Sequence, residues 1–462
     1  MENPNAILDT GNVESAVASA EEVQNLLKAM QTGQGVDPSG FTGGSALRMQ
    51  SLDGTLKVVT FTEKHLKLVK EVPQRPAYST VEEYSVESAY GEEGAFVTEM
   101  ENPNEADPDL ARKYAVVKYL RTLRKVSDVA GMVKNLEQPI QVQTIAGVRF
   151  LLRKLELAMF FGNATNIPVE FDGILALILA NASSNVIDMR NAELEQLKIQ
   201  DGAKLIADNY GSANLMFHSH GVQTGLDASV KPDQRVILPI QPEKGLMLGT
   251  IAAGVRTSFG DVAFRPDVFI KEGEVAPTSA IGTGAPLAPS ITSITVAANT
   301  SAQFGVNIGT YSYGVSAVTA KGESPISTIS VAIITVNTHA VIQITKNGSG
   351  DTPTAYKIYR DQTPGATNPA GLRYMRTVAY SASPQTVIDA NEDIPGTSYS
   401  FLMDVDTVLD TIALKKLAPL TKLPLARVGA YIQWLQNLYV TLQITAPRKF
   451  VIFKNVKGRL VV

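Results

Sequence analysis

Few residues in this chain have the type and spacing that chemistry requires. His218 and His220 stand two apart in ANLMFHSHG, so on a regular strand both imidazoles leave one face. Two such groups could begin a metal site, but no third and fourth ligand follow at a matching spacing. The pair reads as surface or partly buried histidines. His65 lies among lysines and reads as solvated. The carboxylates of Glu82–Glu83 and Glu92–Glu93 are adjacent in sequence, which does not aim two side chains at one substrate, so they too read as solvated. Cysteine is absent, which excludes disulfides, thiol catalysis and cysteine-ligated metal. There is neither a G-x-x-x-x-G-K-[ST] phosphate loop nor a G-x-S-x-G elbow. No catalytic, cofactor-binding or metal residue is assigned. No cofactor is expected, and the chain is read as not an enzyme.

The charges point to contacts between proteins instead. Between Glu92 and Asp109 stand seven acidic residues (Glu92, Glu93, Glu99, Glu101, Glu105, Asp107 and Asp109) with no basic residue among them. From Arg112 to Lys125 stand six basic ones: Arg112, Lys113, Lys118, Arg121, Arg124 and Lys125. Separated blocks of opposite sign are either solvated faces or surfaces on which copies of one protein pair. The formal net charge of −4 lacks the basic surplus of a protein that grips nucleic acid.

These residues must be positioned by a chain of 462, long enough for two or three domains. Apolar residues make up 44% and charged residues 19%, an ordinary globular balance. No apolar run reaches the roughly 18 residues of a membrane span. The N-terminus lacks the basic start and apolar core of a secretory signal. Val13, Val17, Val23, Leu27 and Met30 predict one amphipathic helix, followed by a glycine-rich stretch. YSTVEEYSVESAYG and KYAVVKYLRTLRKVSDVAG read as two long strands around the acidic tip. In GVRFLLRKLELAMFFGNATNIPVEFDG, residues 147–173, Ile145 just upstream joins Val148, Leu152, Leu155 and Met159 in a helical stripe. Arg149, Arg153 and Glu156 form a charged stripe, and Gly162 suits a left-handed cap. A second amphipathic helix carries Leu194, Leu197, Leu205 and Ile206, with Gly211 past its end. Residues 273–290 hold three prolines and no aromatic residue, the composition of a linker. About seven short strands follow, among them TYSYGVSAVTAKGES with Tyr311, Tyr313, Val315 and Ala317 on one face, and predict a sandwich. Near the C-terminus Leu438, Val440, Leu442 and Ile444 alternate on a further strand.

The helix ending Glu156-x-x-x-Phe160-Phe161-Gly162-Asn163, followed by Glu170-Phe171-Asp172-Gly173-Ile174, resembles the major capsid proteins of tailed bacteriophages, whose fold is the Hong Kong 97 type. The Phe259-Gly260-Asp261 turn, Arg265-Pro266-Asp267-Val268-Phe269 and the closing stretch Pro447 to Val456 resemble the same family. The resemblance covers about residues 50–270 and 407–462. The strands after the linker resemble fibronectin type III or immunoglobulin-like modules. The resemblance therefore implies an α+β chain of Hong Kong 97 type: an N-arm, an E-loop, a P-domain with a long spine helix, and an A-domain, plus an all-β immunoglobulin-like sandwich insertion. Residues 1–76 are then the N-terminal arm and the start of the core. Residues 77–135 are the E-loop and flanking P-domain strands, 136–165 the spine helix, and 166–272 the A-domain and return strands. Residues 273–289 are the linker, 290–402 the insertion, and 403–462 the return to the capsid core.

The function so implied is self-assembly into pentamers and hexamers that close an icosahedral head shell around the phage genome, with the sandwich on the outer surface. The expected partners are copies of the chain itself, a portal, and scaffolding or decoration proteins. Double-stranded DNA is enclosed without sequence-specific binding, and no membrane is involved. The expected location is the virion, after assembly in the host cytoplasm. Some capsids of this kind join a lysine to a neighbour's asparagine. Lys113 and Asn455 are among many candidates, nothing selects them, and no cross-link is expected. Two alternatives use the same residues differently: an encapsulin-type compartment shell, and a surface adhesin or tail protein whose sandwich binds carbohydrate.

Overall fold

In the computed structural model the described residues are 62–462, apart from 90, 92–95, 97, 101, 103–106, 134–137, 230–252, 306, 350–351, 366–370 and 460–462. The expected N-terminal helix at Val13–Met30 lies outside them, as do Glu92, Glu93, Glu101 and Glu105. The described chain is α+β.

It begins with α1 (Leu68–Glu71) and β1 (Gln74–Pro76). β2 (Val81–Ala89) and β3 (Asp109–Val116) form an antiparallel hairpin. β4 (Lys118–Ser127) and α2 (Asp128–Met132) follow. The returning strand read as continuous is thus broken at Val117, which is buried and donates its N–H to Thr80 O at 2.9 Å. Its end turns helical because Ser127 caps α2, its Oγ accepting from Ala130 N at 3.2 Å.

The long helix α3 (Pro139–Phe161) starts with proline in its first turn, where no N–H is needed. Its buried stripe steps by four through Gly147, Leu151, Leu155 and Met159. The expected stripe coincides with this one at Leu155 and Met159 but is rotated from it upstream, where Ile145 is exposed and Val148 and Leu152 are half-buried. Gly147 explains the rotation. A Cβ there would strike the side chain of Gln436, so the helix turns its small residue toward β19 at that point. Glu156, expected on the charged face, is fully buried.

Next come α4 (Ile174–Asn181), β5 (Val186–Asp188), α5 (Gln196–Asp208), β6 (Leu215–His218), α6 (His220–Ser229), β7 (Gly254–Thr257) and β8 (Gly260–Pro266). On α5 the buried face is Ile199, Gly202, Ala203 and Ile206, while Leu197, expected to be inward, is exposed. The left-handed residue after α5 is Tyr210, with φ +58, rather than Gly211.

β9 (Ser290–Ala298), β10 (Gly309–Thr319), β11 (Gly322–Glu323), β12 (Ser330–Ile334), β13 (Thr338–Thr345), β14 (Ala355–Asp361), β15 (Leu372–Ala379) and β16 (Gln385–Asp389) make two antiparallel sheets. One has the order β11-β10-β14-β15, with β12 also on β10, and the other has the order β16-β13-β9. They share one core in which Tyr311, Tyr313, Val315 and Ala317 meet Ile342, Ile344 and Val387. β17 (Thr397–Met403), β18 (Ile412–Pro424), β19 (Tyr431–Ile444) and β20 (Phe450–Lys457) complete the chain. β17 falls, but for Met403, within 290–402, yet its hydrogen bonds go to β20 and β6, in a six-stranded sheet ordered β5-β20-β17-β6-β8-β7.

A four-stranded sheet, β1-β18-β19-β4, underlies α3. Leu438, Val440, Leu442 and Ile444 of β19 all point into the core shared by α3, α4 and the six-stranded sheet. Phe160 and Phe161 pack the end of α3 against the six-stranded sheet. Phe160 lies 5.3 Å from the ring of Phe401 and 5.7 Å from that of Phe217, and Phe161 lies 6.0 Å from that of Tyr399.

Candidate assembly surfaces

The β2–β3 hairpin has two unlike faces. Glu82, Tyr84, Val86, Ala111, Lys113 and Ala115 are half-buried on the inner face. Tyr84 Oη donates to Ile444 O at 3.2 Å, and Lys113 Nζ donates to Asn181 Oδ1 at 3.2 Å. These bonds lay the ribbon on its own chain, so it does not depend wholly on a neighbour for support. The outer face carries Val81, Leu110, Tyr114 and Val116, all exposed, with Leu110 at 67% and Tyr114 at 71%. On that face Arg112 reaches Glu83 at 3.3 Å. Beyond it Phe96 and Met100 are fully exposed, among the exposed acids Glu99, Asp107 and Asp109.

Among the described residues, Arg112 alone of the six basic residues ion-pairs a carboxylate. Lys118 Nζ donates to Pro168 O at 2.7 Å. Arg121 lies over the rings of Tyr119 and Tyr439, Arg124 over Phe150, and Lys125 over Tyr431. Tyr119, Arg121, Leu123 and Lys125 alternate outward on β4, so the outer face of the four-stranded sheet is cationic and aromatic. Where hairpin and sheet meet, Val81, Val116, Lys118, Tyr119 and Val169 line an open groove of about 540 Å³. A second apolar end is formed by Val129 and Met132 of α2, Val133 beside it, and Val428 between β18 and β19, joined through Arg427 and Asp128 at 3.6 Å. Monomers rarely expose apolar surface in such concentration without a partner for it.

The stretch 273–289 is not a free linker. It lies along the sandwich, hydrogen-bonded strand-like at both ends of its first half. Tyr374 N donates to Glu274 O at 2.7 Å, Ala276 N to Leu372 O at 3.2 Å, and Ile281 and Glu323 exchange bonds of 2.8 and 2.9 Å. Ala276 is buried against Tyr359 and Leu372. A charged clasp adds to this. Lys357 Nζ reaches Glu323 at 2.7 Å and Glu274 at 3.3 Å, and Tyr359 Oη donates to Glu323 at 2.5 Å. Burial works against the Lys357 ammonium, but the two carboxylates outweigh it and hold its pKa above the ordinary lysine value. Burial and the Glu323 charge push the Tyr359 phenol far up. At the other end of the sandwich segment, Lys454 meets Asp393 at 2.6 Å.

The residues that sequence had singled out fall apart. His218 ends β6 fully buried, its Nε2 sharing a 2.7 Å hydrogen bond with Gln223 Oε1, whereas His220 opens α6 and is exposed. They share no face because the strand stops between them. Among the described residues no group of three or more His, Asp or Glu side chains is placed to hold a metal ion. Burial lowers the His218 pKa to about 4. Glu82 turns back on the chain, its Oε1 accepting from Tyr78 N at 2.6 Å and Ser79 N at 2.9 Å. Asn455 is buried, accepting from Ile394 N at 3.0 Å and donating to Asp188 Oδ1 at 2.8 Å and Glu392 O at 2.9 Å. It and Lys113 are not brought together. Sequence reading missed the buried carboxylates of Glu156 and Asp267, for which polarity alone argued the opposite.

No family model matches the chain. It is 27% identical over 466 residues to a putative major capsid protein of Enterococcus phage phiEF24C, spanning 96% of this chain and 97% of that one. It is 25% identical over 456 residues to the major capsid protein of Staphylococcus phage K, spanning 94% and 95%. Among solved structures, the capsid of a native GTA particle matches with a TM-score of 0.49 at 9% identity, covering 92% of this chain and all of that one.

Proposed function

We propose that this chain is the major capsid protein of a tailed bacteriophage, folded in the Hong Kong 97 manner and assembling into pentamers and hexamers that close an icosahedral head around double-stranded DNA. The observation that carries the reading is similarity to phage major capsid proteins from end to end, over 94–96% of this chain and 95–97% of theirs. A shared domain alone would not extend so far. In this reading β2–β3 is the E-loop, α3 the spine helix, and the six-stranded sheet the centre of the A-domain. The two-sheet sandwich is an immunoglobulin-like insertion on the outer surface of the shell.

The mechanism is geometric. Each copy offers several modest surfaces: the apolar outer face of the hairpin, its acidic tip, the cationic and aromatic face of the four-stranded sheet, and the apolar end at α2. No single one holds a shell. Repeated around closed rings they act together, because each contact made raises the effective concentration of the next. Opposite charge at the tip and the sheet face favours one docking register between copies and disfavours others. A portal and scaffolding or decoration proteins complete the partner set, and assembly takes place in the host cytoplasm.

The test is to express the chain alone and image it by negative-stain electron microscopy. Closed shells, or rings of five and six, are expected. A monodisperse monomer that also fails to assemble with the scaffolding and portal proteins of its own phage would overturn the reading. Nucleic acid in particles from infected cells distinguishes a phage head from a compartment that holds an enzyme.

A further inference from the structure

Three segments far apart in sequence meet at Glu156, in the C-terminal part of α3. Its Oε1 accepts from Lys67 N at 2.9 Å and Leu68 N at 2.7 Å, and its Oε2 accepts from Val69 N at 3.1 Å. These are the first free N–H groups of α1, so Glu156 ties the lead-in to the spine helix. Facing it is Asp267, at the end of β8 and also fully buried. Asp267 Oδ1 accepts from Phe269 N at 2.8 Å, but its Oδ2 is buried without a donor. Two carboxyls with only acceptor oxygens between them repel unless a proton lies there.

The surrounding charges call for that proton. Lys67, whose ammonium donates to Pro266 O, is the cation that acts on Asp267 from the lead-in. From the β6–α6 junction, His218 is neutral, and the exposed His220 adds a second favourable charge on Asp267. Arg265 is engaged by Glu71 at 2.8 Å. These charges lie on the Asp267 side and Glu156 has none facing it, so the buried pair keeps an excess negative charge that a single added proton removes. We propose that one proton shared between Glu156 and Asp267 latches the lead-in segment at 67–69 to α3 and to the end of β8, and that its loss loosens this joint. Burial, and the charge of Asp267 after it, raise the Glu156 pKa to about 7 despite the three N–H donors, and burial raises that of Asp267. The latch therefore opens as pH rises through neutrality. It concerns the folded chain and holds whether or not the chain assembles.

Asp267→Asn supplies the permanent mimic, with an amide N–H in place of the shared proton and Oδ1 still free for Phe269 N. His218 titrates in the same range with the opposite sign, so the informative quantity is the ratio of folding equilibrium constants, variant over wild type. This ratio is expected to rise about tenfold per pH unit between pH 5 and pH 7. In wild type the amides of Leu68 and Val69 should also lose protection from hydrogen exchange above pH 7, beyond the intrinsic base catalysis, and in the variant they should keep it. Should Asp267→Asn fail to fold, the infrared band of a buried protonated carboxyl in wild type serves instead: it is expected at pH 6 and gone by pH 8.5. A pH-independent ratio with unchanged protection, or the absence of that band at pH 6, would overturn the proposal.

Discussion

Gly173 donates its N–H to Gly162 O at 2.8 Å, closing the loop that follows the long helix onto the helix's own last turn. A Cβ on Gly173 would sit 2.5 Å from Ala158 O and 2.8 Å from Met159 O, and one on Gly162 would strike Phe171 O. Gly162 has φ −54 and ψ 140, so it is not the left-handed cap that its position suggested. Glycine is required there for close approach of two backbones. The neighbours serve the same closure. Asp172 Oδ1 accepts from Ala164 N at 2.8 Å, and Asn163 Oδ1 accepts from Thr165 N at 2.8 Å.

Gly173→Ala is therefore expected to destabilise the chain by about 1–3 kcal/mol, the range for forcing atoms into a packed site. Chemical denaturation monitored at Trp434 measures it. An effect within about 0.5 kcal/mol, as for an ordinary surface change, would refute the close-approach argument.

Arg360 is fully buried within the sandwich. It meets Asp389 and Asn391 at 2.5 Å each and lies over the rings of Phe304 and Tyr311. Arg360→Ala leaves Asp389 buried without its cation and should cost about 3–5 kcal/mol. Asp389→Asn in the same background should recover part of that loss. A double variant no more stable than Arg360→Ala would contradict this.

The outer face of the hairpin separates folding from assembly. Leu110→Asp with Tyr114→Asp removes exposed apolar surface and breaks no described hydrogen bond, so stability should change by no more than about 0.5 kcal/mol. Light scattering should then report loss of particles from an otherwise folded chain. Normal particles from the double variant would remove this face from the assembly contacts.

His218 predicts a pH dependence of its own. Its folded pKa, about 4, lies below the unfolded value, so the unfolded chain binds the proton first. Its contribution is complete above about pH 6.5 and is lost as pH falls toward 4, by about 1.4 kcal/mol per unit. The stability gap between wild type and His218→Gln should narrow with that slope over the same window. A gap that stays constant would mean that His218 is protonated in the fold.

The strap along the sandwich should resist attack. The amides of Ala276 and Ile281 are paired, so their exchange should be as slow as that of neighbouring strands. Proteolysis is expected instead at 282–284, where the chain is exposed. Cleavage confined to 275–281 would show that the strap is loose.

What the sequence determined by itself was local and periodic. The alternation of Leu438 to Ile444, the strand of Tyr311 to Ala317 and the long helix with its Phe160-Phe161-Gly162 ending all follow from side-chain period and turn chemistry, which act within a few residues. The faces of those elements were decided by tertiary structure. Glu156 reads as solvent-facing until α1 brings three N–H groups to it, and the helix turns on its axis because Gly147 meets Gln436. Composition marked 273–289 as a linker, but pairing with β11 and β15 makes it part of the sandwich. β17 has the sequence of any strand, and only long-range hydrogen bonds assign it to the six-stranded sheet. Such bonds join β17 to strands that lie tens of residues later and well over a hundred residues earlier, and their partners cannot be read from either segment alone.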